Sequence, residues 1–196
     1  MTLVTKKAPK FYATAILPNN KIIENFDFKK YIKNKISILF FWPMDFTFVC
    51  PTEIIKFNQL YEKLKKRKTK IIGVSCDSIY SHYTWKKESI KNGGIGNLKY
   101  IILSDIKKEI QKLYEIEHPK MGIALRATFI IDSDGIIKHE TINDLPYGRN
   151  IKETIRIVDA LKFHKKHGEV CPSNWNKNKI GMKPSIKGLQ EYLKNK

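Results

Sequence analysis

Short apolar runs alternate along the chain with segments in which apolar residues recur at helical spacing. Residues 36–41 (ISILFF) are typical of a buried strand, and the apolar positions that follow between residues 54 and 64 are typical of an amphipathic helix. Residues 70–76 (KIIGVSC) predict a second buried strand. A second helix is predicted over residues 78–91, because Ser78 can cap its first turn and the following Asn-Gly-Gly can end it.

A third strand is predicted over residues 100–103, followed by another helix. Ser104 or Asp105 can cap this helix, and its apolar positions include Ile106 and Leu113. A strand followed by a helix is thus predicted three times in succession.

The second half of the chain contains a strong hairpin signal. Residues 127–132 and 136–142 flank Ser-Asp-Gly, and glycine accepts the positive φ that such turns require. Asn150 can then cap a helix with a continuous apolar face. The remaining tail is irregular apart from a short helix predicted over residues 187–196.

This order of elements predicts an α/β chain with a mixed central sheet flanked by helices, and a thioredoxin-like fold fits it. The chain has 196 residues, close to the common size of one domain, and it contains no repeat or low-complexity linker. We therefore predict a main domain over residues 1–165 and a C-terminal extension over residues 166–196.

The composition is that of a globular protein with a basic surface. Apolar residues make up 42% of the chain and aromatic residues 11%, while the formal net charge is +18. Such a charge could attract nucleic acid. However, only four of the 37 basic residues are arginine, and the densest basic run, residues 63–70, ends a predicted helix. A solvated lysine-rich surface is favoured, and a basic nucleic-acid-binding or chaperone-like protein is the rival reading.

The chain contains no signal for export or membrane insertion. Its first ten residues lack an apolar segment, and its longest apolar stretch, residues 36–44, is far shorter than the roughly 20 residues of a membrane span. We expect a cytoplasmic protein. Because that compartment keeps structural thiols reduced, the three cysteines are not expected to form a static disulfide framework, and redox catalysis becomes the question.

Cys50 lies where the first predicted strand gives way to a helix. Pro51 suits the first helical position, because its missing N–H is not needed there. The amino end of a helix stabilises a thiolate, which is the nucleophilic form of cysteine. From its position alone, Cys50 could equally be a buried and inert residue.

The residues around Cys50 resemble a known family. Pro43, Thr47 and Cys50 are spaced as in the P-x-x-x-T-x-x-C signature of peroxiredoxins, and FTFVCPTE is similar to the typical 2-Cys subgroup. The likeness continues in order through GVSCDS, NGGIG, FIID, DLPYGR and GEVCPSNW. The sequence is identified as a member of the alkyl hydroperoxide reductase and thiol-specific antioxidant family.

This resemblance implies a thiol peroxidase acting on hydrogen peroxide and organic hydroperoxides. Cys50 would attack the O–O bond and become a sulfenic acid. Cys171, from a partner subunit and carried by the C-terminal arm, would then form a disulfide with it. Thioredoxin or a dedicated disulfide reductase would reduce that disulfide, and the homodimers would assemble into a ring, commonly a decamer. Nucleic acid and membrane are not expected partners.

The same resemblance implies roles for five further residues. Thr47 would hydrogen-bond the peroxide and the thiolate, and Pro43 would shield the thiolate from water, although a capping role and a turn role are open to them too. Arg126 would hold the thiolate and the negative charge that develops. Glu53 would orient arginines in the pocket, and Arg149 would be the second arginine near the site.

Two residues stand apart from this set. Cys76 ends a predicted buried strand and is expected to be structural. Trp42 lies where members of the family usually have tyrosine, which changes one wall of the pocket without removing a catalytic group.

A zinc site is the remaining alternative. His164, His167 and Cys171 have the chemistry of zinc ligands, but no fourth ligand is evident. The two histidines also fall at the lysine-rich end of a predicted helix, where cations are expected. We expect neither a metal nor a cofactor.

Overall fold

The computed structural model describes residues 2–194. Its strands are β1 (Tyr12–Ile16), β2 (Ile22–Asp27), β3 (Ile36–Phe41), β4 (Thr69–Ser75), β5 (Ile101–Ser104), β6 (Arg126–Ile131) and β7 (Ile137–Asn143). Its helices are α1 (Phe28–Ile32), α2 (Cys50–Gln59), α3 (Tyr61–Lys66), α4 (Ile79–Lys87), α5 (Glu109–Leu113), α6 (Ile151–His167) and α7 (Ile186–Lys194). Met1, Asn195 and Lys196, which the predicted domains include, lie outside the described residues.

The chain forms two compact units, one up to Ile151 and one from Lys152 onward. The first contains the whole sheet together with α1 to α5. The second contains α6, apart from its first residue, and α7. The division predicted after residue 165 remains a prediction. No helix within residues 2–194 combines the length and the apolar character that a membrane crossing requires.

The strands form one mixed seven-stranded sheet in the order β2-β1-β5-β4-β3-β6-β7. β3, β4 and β5 are parallel neighbours, whereas β3 pairs with β6 in antiparallel orientation. The α/β class and the mixed central sheet are therefore confirmed. Since β3 and β6 are neighbours that run in opposite directions, the last residues of β3 and the first residues of β6 lie at the same end of the strands.

The centre of the sheet is filled by large aromatic side chains. Phe40 and Phe41 at the end of β3 and Trp42 just after it are fully buried. Phe40 is in register with Gly73 on β4. A Cβ atom at Gly73 would lie 2.7 Å from Trp42 Cζ3 and 2.9 Å from Phe40 Cζ, so the glycine makes room for both rings.

The predicted strand–helix step at residue 50 is confirmed. β3 ends at Phe41, a loop covers residues 42–49, and α2 begins at Cys50. The helix predicted through residue 64 is divided into α2 and α3 at Leu60, whose φ and ψ are −92° and 0°. Regular helical structure is therefore interrupted at this single residue.

Two predicted helices have different bounds in the structure. Ser78 does cap α4, accepting a hydrogen bond from the backbone N–H of Ser81, but α4 ends at Lys87 because Glu88 is extended. A short 3-10 turn then covers Ile90–Asn92. The helix expected after β5 starts only at Glu109, so Ile106 precedes it and is exposed.

The prediction of a cap at Ser104 or Asp105 is partly wrong. Ser104 is the last residue of β5. Asp105 accepts hydrogen bonds from the backbone N–H groups of Ile110 and Gln111, and so supports the first turn of α5 from a distance. The three-residue gap to Glu109 is closed by Lys108, which adopts a left-handed conformation with φ 59°.

The hairpin at Gly135 is confirmed, whereas the amino-terminal hairpin of β1 and β2 was not predicted. Gly135 has φ 77°, in agreement with the turn chemistry. β1 and β2 are joined by a turn in which Asn20 has φ 66°. Three of the five residues of β1 and five of the six residues of β2 are exposed or only partly buried, so their apolar pattern is weak.

The close packing at Gly73 generates a first prediction. Gly73→Ala should lower the free energy of unfolding by about 1–3 kcal/mol, because the new methyl group forces Trp42 or Phe40 out of position. Urea denaturation followed by circular dichroism measures this change. Gly148→Ala is the matched control, since its Cβ would meet Val49 Cγ1 at an ordinary 3.4 Å. Equal stability of the two variants would contradict the packing argument.

Candidate active site

Cys50 is the first residue of α2, and its side chain is fully buried. Pro51 occupies the beginning of the helix, as the sequence predicts. Val49 is the N-cap residue, and its apolar side chain makes no capping hydrogen bond to the first turn of the helix. The sulfur therefore lies at the amino end of a helix, where backbone N–H groups favour a negative charge.

Arg126, the first residue of β6, contacts the sulfur directly. Its Nη1 donates a hydrogen bond to Cys50 Sγ at 3.3 Å and to Glu53 Oε2 at 3.0 Å. Its Nε donates to the carbonyl oxygen of Leu145 at 2.7 Å. Because only 4% of Arg126 is exposed, these hydrogen bonds act in a desolvated environment, where they are stronger.

Glu53, one turn into α2, holds two arginines at once. Its Oε1 accepts hydrogen bonds from the backbone N–H of Arg149 at 2.8 Å and from Arg149 Nε at 3.0 Å. Its Oε2 accepts from Arg149 Nη2 at 2.8 Å as well as from Arg126. The fork of Arg149 therefore binds the carboxylate through two parallel hydrogen bonds, a geometry that lysine cannot reproduce.

The charge of Glu53 depends on these partners. Burial alone would raise the pKa of Glu53, but the hydrogen bonds and charge of Arg149, together with the charge of Arg126, lower it below its ordinary value. The carboxylate and the two guanidinium groups leave one net positive charge in the cluster. A thiolate at Cys50 would balance that charge.

Arg149 is fixed by the sheet. Its Nη1 donates to the carbonyl oxygen of Ala127 at 2.8 Å and to Thr128 Oγ1 at 3.3 Å, both on β6. Its guanidinium group also lies over the ring of Phe40, 5.2 Å from the centroid. The structure thus joins the predicted residues 50, 53, 126 and 149 in one hydrogen-bonded group.

Pro43 and Thr47 lie in the loop between β3 and α2. Pro43 is buried, and its carbonyl oxygen accepts a hydrogen bond from Cys76 Sγ at 3.4 Å. Thr47 is partly buried, and its hydroxyl donates to the carbonyl oxygen of Met44 at 2.9 Å. The oxygen of Thr47 keeps its capacity to accept a hydrogen bond from a bound molecule.

Cys76 differs from Cys50 in its electrostatic surroundings. Burial, and next the charge of Asp77, raise the pKa of Cys76 to about 11. The Cys76 thiol is therefore protonated at neutral pH. Cys76 directly follows the last residue of β4 and is partly buried, and its structural role stays a prediction.

Asp45 and His82 were not predicted as functional residues. His82 Nδ1 lies 2.7 Å from Asp45 Oδ2, and both side chains are buried. Asp45 lies within the motif between Pro43 and Thr47, and this position is the one signal that the sequence offered. The distance of 37 positions between Asp45 and His82 explains why periodicity gave no indication of the pair.

Cys171 belongs to the second unit. It is partly buried, and its Sγ lies 3.8 Å from the carbonyl oxygen of Ala160. Burial raises the pKa of the Cys171 thiol, while the charge of Arg156 opposes this effect. An isolated backbone bridge between Val170 and Met182 fixes the chain on one side of Cys171.

The two histidines of the second unit have protein partners. His164 Nδ1 lies 2.8 Å from the carbonyl oxygen of Glu169, and the ring of His167 packs against Phe163 with 4.7 Å between centroids. Among the residues that the structure describes, no group of three or more His, Cys, Asp or Glu side chains could hold a metal ion.

Comparison with known families accounts for this arrangement. Residues 4–140 match the model of the AhpC/TSA family. The chain is a peroxiredoxin of this family. A second model, described as the C-terminal domain of 1-Cys peroxiredoxin, matches residues 160–195 of the peroxiredoxin, which include Cys171.

Relatives and a solved structure resemble the peroxiredoxin over nearly its whole length. It is 59% identical to the alkyl hydroperoxide reductase C of Buchnera aphidicola subsp. Schizaphis graminum, over 99% of this chain and 98% of that protein. It is 47% identical to the chloroplastic 2-Cys peroxiredoxin BAS1 of Hordeum vulgare, over 98% of this chain and 91% of the relative. The crystal structure of the reduced Plasmodium vivax 2-Cys peroxiredoxin superimposes with a TM-score of 0.95 at 43% identity, covering 99% of this chain and all of the other.

These similarities confirm the thioredoxin-like peroxiredoxin fold, and they confirm that the protein is a thiol peroxidase. These similarities do not assign catalytic roles to individual residues. Those roles rest on the geometry of the cluster around Cys50.

The pairing of Glu53 generates the second prediction. Glu53→Gln should lower the free energy of unfolding at pH 7 by about 3–5 kcal/mol, because two buried guanidinium groups lose their counter-charge. Thermal and urea denaturation at fixed protein concentration measure this loss. Glu62→Gln is the control, since the ion pair of Glu62 with Lys99 is more than half exposed and should contribute little.

The same variant should also change how stability depends on pH. Because the pKa of Glu53 is lower in the folded protein than its ordinary 4.5, its stabilising contribution is complete above about pH 4.5 and is lost as the pH falls through the lowered value. Glu53→Gln should therefore lose less stability on acidification than the wild type. An identical acid dependence of both proteins would contradict the pairing argument.

Proposed function

We propose that this peroxiredoxin reduces hydrogen peroxide and organic hydroperoxides by direct attack of the Cys50 thiolate. The observation that carries the proposal is the 3.3 Å hydrogen bond from Arg126 Nη1 to Cys50 Sγ at the amino end of α2. The thiolate attacks one peroxide oxygen, and a new S–O bond forms as the O–O bond breaks. Cys50 becomes a sulfenic acid, and the leaving oxygen departs as alkoxide or hydroxide and takes up a proton from water.

The cluster around Cys50 supplies the electrostatic part of this step. Arg126 stabilises the thiolate before the reaction and the negative charge on the oxygens during it. Glu53 prevents the two arginines from repelling each other and fixes the direction of their N–H groups. Arg149, tied to β6, holds Glu53 in place. Thr47 and Pro43 are proposed to align the peroxide and to exclude water, respectively.

Cys171 is the proposed resolving thiol. It attacks the sulfenic sulfur of Cys50 in a partner subunit, water leaves, and an intersubunit disulfide forms. A dithiol donor then reduces this disulfide. Thioredoxin is the proposed donor, because a relative from Drosophila melanogaster that is 44% identical bears the name thioredoxin-dependent peroxide reductase, and a dedicated disulfide reductase is the alternative donor.

The proposal includes a homodimer that assembles into a ring, with a decamer as the expected size. Exposed aromatic side chains of the first unit, such as Phe48, Tyr80 and Tyr147, offer apolar surface for contacts between subunits. We place the enzyme in the cytoplasm on the strength of its bacterial relatives. Nucleic-acid binding is not part of the proposal.

The third prediction separates the two thiols. Cys50→Ser should abolish peroxide reduction, because the nucleophile is lost. Cys171→Ser should reduce about one peroxide per subunit and then stop with thioredoxin as donor, because the sulfenic acid is no longer resolved. Stopped-flow measurement of peroxide consumption, with the wild type under the same conditions as reference, distinguishes these outcomes. Multiple turnovers by Cys50→Ser would refute the assignment of the nucleophile.

Resolution between subunits is tested on the same preparations. Peroxide-treated wild type should migrate as a dimer on a denaturing gel and return to a monomer after reduction. Mass spectrometry of the digested dimer should find Cys50 joined to Cys171. A disulfide confined to one chain would contradict the intersubunit arrangement.

A further inference from the structure

Asp45 is a buried carboxylate in the middle of the loop that carries Pro43 and Thr47. Its side chain is bound by three donors: Trp42 Nε1 at 2.9 Å, Ser81 Oγ at 3.1 Å and His82 Nδ1 at 2.7 Å. We refer to Asp45, Trp42, Ser81 and His82 as the Asp45 clamp. Since Ser81 and His82 lie on α4, the clamp ties the loop to a different element of the fold.

The ring of His82 is held from both sides. Its Nδ1 faces Asp45, and its Nε2 lies 3.2 Å from the carbonyl oxygen of Leu103, which can only accept a hydrogen bond. Nε2 therefore carries a proton, and the orientation of the ring is fixed by two oxygen acceptors. The indole of Trp42 packs against the same ring, with 5.5 Å between centroids.

The backbone of the loop is tied to the end of β4 as well. The N–H of Asp45 donates to Asp77 Oδ2 at 2.9 Å, and the hydroxyl of Ser75 donates to the same oxygen at 2.6 Å. The N–H of Trp42 donates to the carbonyl oxygen of Val74 at 3.1 Å. The loop is thus anchored by side chain and by backbone between Phe41 and Thr47.

Trp42 contributes a donor that depends on the shape of this particular core. Its indole fits because Gly73 has no side chain, and this position brings Nε1 within 2.9 Å of Asp45. A tyrosine, which is usual at this place in the family, would carry its donor at the far end of a six-membered ring and not on the side of an indole. The hydrogen bond from position 42 to Asp45 in this chain therefore depends on the residue being tryptophan.

None of these hydrogen bonds involves a residue of the cluster formed by Cys50, Glu53, Arg126 and Arg149. The clamp can therefore act on the position of the loop without changing the charge balance at the sulfur. This separation makes the two effects distinguishable by experiment.

We propose that Asp45 and His82 are positioning residues, which fix the loop so that Pro43 and Thr47 align the peroxide for attack by Cys50. This inference rests on the proposed function. Alignment of the reacting atoms can be lost through a small displacement, so the reaction with peroxide is sensitive to the loop. Alkylation of Cys50 by iodoacetamide does not need the aligned peroxide and depends on the thiolate.

The experiment compares these two reactions of Cys50 in single-turnover measurements on the full chain. Asp45→Ala should slow oxidation by hydrogen peroxide about 10-fold to 100-fold and leave alkylation by iodoacetamide unchanged. Asp45→Asn should retain most of the peroxide rate. Its amide oxygen can still accept from Trp42, and its amide N–H can donate to His82 Nδ1 if the ring, no longer facing a carboxylate, keeps only the proton on Nε2 that bonds Leu103.

Trp42→Phe is the milder second variant, because it removes the indole donor and keeps a buried ring. It should slow the peroxide reaction by a smaller factor than Asp45→Ala, again without changing alkylation. Tyr114→Phe is the matched control. It removes a buried hydroxyl donor to the carbonyl oxygen of Pro9, at 3.3 Å, away from the loop, and should leave both rates unchanged.

A wild-type peroxide rate in Asp45→Ala would overturn the inference. An equal loss of both reactions in Trp42→Phe would also overturn it, because that result describes general disruption of the fold and not positioning. The proposed function would survive either outcome, since its own tests are the reaction of wild-type Cys50 with peroxide and the loss of that reaction in Cys50→Ser.

Discussion

A buried carboxylate must be paired, and the pairing of Glu53 with two arginines organises this active site. Glu53 is 3% exposed and receives four hydrogen bonds, three from Arg149 and one from Arg126. The three side chains together carry one net positive charge beside Cys50. The thiolate completes the charge balance, so the same constraint that stabilises the fold also favours the reactive form of the enzyme.

The topology of the sheet brings this cluster together. Cys50 and Glu53 follow β3, while Arg126 begins β6. The antiparallel pairing of these strands places the end of β3 and the beginning of β6 at the same end of the sheet. The loop of residues 42–49 lies after β3 at the same end of the sheet. It is held by hydrogen bonds to Asp77, which follows β4, and to His82 on α4. One set of contacts thus sets the charge at the sulfur, and another set fixes the loop that faces the substrate.

The local part of this design was predictable from the sequence, because a strand, a loop and a helix of suitable period follow one another around Cys50. The motif spacing also indicated Pro43 and Thr47. The bonding of Glu53 to Arg149 spans 96 positions, and no local pattern encodes a contact of that length. The resemblance to a family suggested these residues, but only the order of the strands explains why they meet. The pair of Asp45 and His82 escaped prediction for the same reason. The hairpin of β1 and β2 is local, and it escaped prediction because its strands are mostly exposed or partly buried and have a weak apolar pattern.

The rate at which Cys50 reacts with hydrogen peroxide in Arg126→Lys tests the central claim most directly. A lysine cannot bind the sulfur and Glu53 while also replacing the Nε bond to Leu145. The account predicts that this rate falls by about tenfold or more, whereas Arg67→Lys, the same change at a partly buried arginine that bonds the carbonyl oxygen of Lys63, leaves it unchanged. A folded Arg126→Lys enzyme that reacts with peroxide as fast as the wild type would contradict the account.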